Sequence, residues 1–132
     1  MKRIYVCLIL ILPALISFQC EEDNPGELYN TNLVVSNESS FSLLLETSPN
    51  TIFSLPLEEA QYIAGFSSED GFIKPSAFTS IDWIKLYKKD KNENLTLVYE
   101  QNSLNDELWI INQSLEKNVD HVLIISDEDL SE

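Results

Sequence analysis

The one histidine of the chain, His121, directly follows Asp120, and this pair is where general acid-base chemistry would start. Joined to one of the many serines, it would make a hydrolytic triad. The sequence has no Gly-x-Ser-x-Gly elbow, however, and His121 lies beside Val122 in a strand-like run, where a structural histidine is expected. Calcium needs roughly six to eight converging oxygens. The nearest acidic sets are Glu69-Asp70 and Asp127-Glu128-Asp129, and neither has the spacing of an EF-hand loop. A single histidine cannot build a Cys/His zinc site, so no metal and no cofactor is expected. Carboxylates about 5 to 10 Å apart serve glycoside hydrolysis, but among 22 acidic residues such a pair arises by chance. The sharper option is aromatic. Trp83 and Trp109, with Tyr62, Tyr87 and Tyr99, offer flat faces for a sugar or a protein partner, unless the tryptophans fill the interior instead. Asn37, Asn94 and Asn112 each begin an Asn-x-Ser/Thr triplet, a pattern too frequent by chance to carry weight.

The two thiols, Cys7 and Cys20, differ in setting. Residues 1–19 open with Lys2 and Arg3, continue through an apolar run over 4–16, and leave through Ser17, Phe18 and Gln19. That is the layout of a signal peptide. The run is shorter than the roughly 20 residues that cross a bilayer, and Pro13 interrupts it. Cys7 leaves with this leader, so the mature chain keeps Cys20 alone and can form no internal disulfide. An unpaired thiol in an exported protein needs a reason.

An apolar run ending just before a cysteine resembles the lipobox signal of bacterial lipoproteins. Ser17 and Gln19 stand where that class usually has Leu and a small residue. The resemblance implies cleavage before Cys20 and a diacylglycerol on its sulfur, with fatty chains such as palmitate. The tract Glu21, Glu22, Asp23 resembles the export signal of small surface lipoproteins of the Bacteroidetes. It implies a bacterial cell envelope location, lipid-anchored in the outer membrane and exposed at the cell surface. Each buried methylene contributes about 0.8 kcal/mol, so two or three acyl chains hold a protein durably where one does not.

All 22 acidic residues follow Cys20, and removing Lys2 and Arg3 leaves six basic ones, a mature charge of −16. Such a surface repels phosphate backbones, so no nucleic acid partner is expected. The lysines make one short cluster, Lys85, Lys88, Lys89 and Lys91. Residues 20–32 are polar, with Pro25 and Gly26, and read as the lipidated cysteine plus an acidic flexible tether.

About a hundred residues remain, enough for one core. Short apolar or alternating runs separated by turn residues predict an all-β domain over 33–126, followed by an acidic tail at 127–132. Residues 33–35 and 41–45 read as a hairpin around Ser36-Asn37-Glu38-Ser39-Ser40. Further strands are expected over 51–55 and 60–66, with a loop over 67–75. Ile81, Trp83 and Tyr87 would share one face of the next strand and Ile84 and Leu86 the other, which suits the middle of a sheet. A charged turn over 88–94 leads to Leu95, Leu97 and Tyr99, the clearest hairpin of the chain. Strands over 107–112 and 119–125 complete a count of about seven or eight, which fits an antiparallel two-layer sandwich of immunoglobulin-like shape, or a small closed barrel.

Three functional readings follow. The first is a non-enzymatic, lipid-anchored surface binding or accessory module, meeting the membrane through its lipid and a protein or glycan at the cell surface. The second is a periplasm-facing structural envelope lipoprotein without a ligand, and the last a hydrolase. An exposed aromatic strip on one face favours the first, two buried tryptophans the second, and His121 held against a serine the third.

Overall fold

The computed structural model describes residues 26–131. Eight strands form two four-stranded sheets: β1 (Tyr29–Asn37), β2 (Leu43–Thr47), β3 (Thr51–Leu55), β4 (Ala60–Ser68), β5 (Trp83–Lys89), β6 (Leu95–Asn102), β7 (Trp109–Leu115) and β8 (Asn118–Ile125). The first sheet has the order β4-β1-β8-β7 and the second β3-β2-β5-β6. The protein is thus an all-β sandwich. Its likeness to an immunoglobulin domain lies in the two packed layers and not in strand order, because β1 pairs with β4 and β8 where an immunoglobulin first strand pairs with the second. The sheets are antiparallel except for β1 and β8, which run parallel.

Alternation explains the layers. In β1 the residues Thr31, Leu33, Val35 and Asn37 are buried, and in β8 so are Val119, His121, Leu123 and Ile125. From the other sheet Leu43, Leu45, Leu55, Ile84, Leu86 and Val98 face them, each 4 % exposed or less. Burying side chains of this size contributes roughly 1.5–3 kcal/mol apiece. Phe78, Ile81 and Leu104, from the segments that cross between the sheets, close the core.

Several expectations need correction. Residues 33–35 and 41–45 do not make a hairpin: β1 and β2 belong to different sheets, and the chain crosses the sandwich between them. The crossing is fixed by Asn37, fully buried, whose Nδ2 donates to the carbonyls of Phe41 (2.8 Å), Leu55 (3.0 Å) and Pro56 (3.0 Å). Its Oδ1 accepts from the backbone N–H and the hydroxyl of Ser39, at 3.1 and 2.6 Å. The tether drawn to residue 32 ends four residues too late, since Tyr29 already pairs with Ser68. Ile81 precedes β5 and turns into the core, away from the face of Trp83. Nor is 127–132 a free tail. Asp127–Asp129 forms a single 3-10 turn, Leu130 packs on the core, and the Ser131 N–H donates to the Val98 carbonyl at 2.8 Å. The expected strands from β5 and β6 do pair as a hairpin, with β5 inside its sheet.

Candidate binding face

The alternation that buries Ile84 and Leu86 turns Trp83, Lys85 and Tyr87 outward from the same strand. Neighbouring strands extend this line into rows. Leu44, Tyr87 and Leu97 lie side by side across β2, β5 and β6, and Glu46, Lys85 and Glu100 form the adjacent row, with Ile52 beside Glu46 on β3. Ile52, Leu95 and Leu97 are 64, 53 and 42 % exposed. Leu44, Glu46, Ile52, Tyr87 and Leu95 enclose a shallow pocket of about 240 Å³ on this outer face.

Polar contacts fix the aromatic rings. The Tyr87 hydroxyl donates to Glu46 Oε2 at 2.8 Å. That bond, followed by partial burial and the charges of Glu46 and Glu100, holds the phenol above its ordinary pKa, so the hydroxyl stays a donor. Lys85 bridges to Glu100 at 3.5 Å, and its ammonium stands 5.0 Å from the centroid of the Trp83 ring. The result is an apolar floor with two aromatic side chains, two carboxylates and one ammonium in set positions. This is contact chemistry: stacking and burial of apolar groups, with hydrogen bonds at the margin.

The other residues singled out from the sequence are scattered. Trp109 is 5 % exposed and lies in the core against β8, so it is no ligand contact. It starts β7 on the inward-facing register beside Leu123, and a large ring there fills space between the sheets. Its Nε1 finds no hydrogen-bond partner among the described residues. Trp83 is half-buried and lies beside Lys85, outside the lining of the pocket. Tyr62 lies across the opposite sheet, and Tyr99 is held in place by Gln101, which donates to its hydroxyl at 2.6 Å.

Asp120 and His121 occupy adjacent strand positions and therefore point to opposite faces. Asp120 accepts from Asn32 at 2.8 Å on the outer side, while His121 is buried with Nε2 3.0 Å from the Ile73 carbonyl, where it donates. In this region the Ser76 hydroxyl donates to Asp106. Asp127 accepts from the Ser40 N–H and hydroxyl, and Asp129 from those of Ser126, so both carboxylates are spent on turns. No group of three metal-ligating side chains occurs among the described residues, nor any helix long and apolar enough to cross a membrane. Cys20, Glu21, Glu22 and Asp23 lie outside the described residues.

Sequence reasoning found Trp83 and Tyr87 through the alternation of 81–87, but missed Glu46, Leu44 and Ile52. Those three reach Tyr87 only through strand pairing, which no local pattern specifies. Compared with known proteins, the chain matches no family model, no curated protein and no solved structure.

Proposed function

We propose that this chain is a lipid-anchored protein of the bacterial outer membrane, displayed at the cell surface, which acts as a non-enzymatic binding module. The outer face of the β3-β2-β5-β6 sheet is its contact surface. One observation carries the second part: Trp83 and Tyr87 stand in line on β5 above exposed Ile52, Leu95 and Leu97, with ordered polar groups beside them. The aliphatic share of that surface suits a protein partner more than a polysaccharide, which would call for more aromatic area.

The anchor rests on the leader and on Cys20, and the chain length fits it. With β1 starting at Tyr29, eight residues separate the anchored cysteine from the first strand. Drawn out, they span at most about 28 Å. That is several times the screening length of about 8 Å at physiological salt, so an acidic sandwich can sit above an anionic membrane.

The test uses the chain with its leader replaced by a non-lipoprotein secretion signal and Cys20→Ser. This soluble form should bind saturably to intact cells, and Leu97→Lys with Tyr87→Ala should abolish binding while leaving the circular dichroism unchanged. Loss of binding after protease treatment of the cells points to a protein partner, and loss after glycosidase treatment to a glycan. Absence of saturable binding would overturn the module reading. The anchor is tested separately: mass spectrometry must find acyl mass on Cys20, and protease shaving must distinguish the native chain from the Glu21, Glu22, Asp23 to Ala variant.

A further inference from the structure

A sandwich of two open sheets has four edges, and three of these carry features that hinder further pairing. On β6 the residue Val98 bulges out of register, and Ser131 donates both its N–H and its hydroxyl to the Val98 carbonyl, at 2.8 and 3.0 Å. On β4 the register breaks beside Val34, and the Gln61 side chain donates to the Tyr62 carbonyl at 2.7 Å. The third, β3, is five residues long and has Pro49 and Pro56 at its two ends.

The fourth edge, β7, has none of these devices along its first five residues. Trp109 to Gln113 pair with β8 in unbroken register, and the whole strand, Trp-Ile-Ile-Asn-Gln-Ser-Leu, contains no charge, glycine or proline. Each face exposes an isoleucine: Ile110 is 57 % exposed on the outer side, and Ile111 is 65 % exposed on the inner side, next along that face from buried Trp109. On the outer side Ile110 ends a row formed by Tyr62, Val34 and Val122. An uncovered strand of this composition is a template for another strand.

We infer that β7 pairs antiparallel with β7 of a second copy of this chain, joining two β4-β1-β8-β7 sheets into one continuous eight-stranded sheet. Charge selects the occupant. The described chain is strongly acidic, and β7 is an uncharged stretch on which two copies can meet without opposing carboxylates. A two-fold axis near Asn112 also brings Glu107, before the strand, alongside Lys117 of the partner, after it. Lys117 already holds Glu27 in its own chain and would sit between two carboxylates. In this register Ile111 of each copy opposes Gln113 of the other, which leaves the two Ile111 side chains as diagonal neighbours on one face of the joined sheet.

The experiment is sedimentation equilibrium of the full chain in a non-ionic detergent, with Ile111→Lys as the comparison. The native chain should sediment as a dimer, and a lysine on the strand should weaken the dimer by about tenfold or more. A monomeric native chain, or an Ile111→Lys chain that dimerises equally well, overturns the inference. Should the lysine variant fail to fold, Asn112→Cys decides. Mild oxidation must yield a disulfide-linked dimer through position 112, read by mass spectrometry of the linked peptide, and its absence overturns the pairing. The inference does not depend on the contact face of the other sheet, and Leu97→Lys should leave the dimer intact.

Discussion

At the scale of single residues, Asn37 ties together the crossing between the two sheets. It is a fully buried amide that holds three carbonyls and one serine at the point where the chain leaves one sheet for the other. Asn37→Ala strands several of these groups away from water, and an expected loss of about 2–4 kcal/mol can be read from urea unfolding midpoints. Local sequence gave no sign of this role, because Asn37 sits among Ser36, Glu38, Ser39 and Ser40 and reads as a turn residue. Its partners Leu55 and Pro56 lie 18 and 19 positions away. Tyr87 is the opposite case, legible from alternation, with only its partner hidden. Hydrogen bonding to Glu46 raises its pKa, so its stabilising contribution is complete below the ordinary phenol value near 10 and is lost as pH rises through the folded value. Ultraviolet titration should show two tyrosines ionising late, Tyr87 through Glu46 and Tyr99 through burial, and Glu46→Gln should return only Tyr87 toward the ordinary range.

At the scale of elements, the hairpin of β5 and β6 was readable because both strands alternate and a charged turn separates them. Within that turn Asp90 accepts from the backbone of Asn92 and Asn94 at 2.7 and 2.9 Å and from the Asn94 side chain at 2.9 Å. The pairing of β1 with β8 was not readable, since parallel partners leave no mark on the residues between them. The closing segment was misread for a related reason: Asp127, Glu128 and Asp129 look like solvated charge, while the element's purpose lies in Leu130 and Ser131. Truncation after Ser126 removes the apolar contact of Leu130 and the cover over Val98. The expected cost is about 2–4 kcal/mol, measurable as a lower urea midpoint with an unchanged native spectrum.

At the scale of the whole molecule, the charge balance sets the response to salt. The sequence carries 22 acidic residues against 8 basic ones, and among the described residues three ion pairs engage Lys85, Lys89 and Lys117. Exposed pairs of this kind contribute little, whereas unscreened repulsion opposes the compact state. Raising ionic strength from about 0.01 to 0.5 M shortens the screening length several-fold and should raise the melting temperature, by a few degrees in calorimetry. A melting temperature that falls instead would show that the ion pairs outweigh the repulsion.

The parallel contact of β1 with β8 also governs when the molecule can come into being. Leu33 meets His121 across 88 positions, and β1 cannot take its place inside a sheet until β8 has been synthesised. A polypeptide emerging from the ribosome therefore lacks the centre of one layer until its last strand appears, and this long-range closure is slow. The export proposed above would be served by that delay.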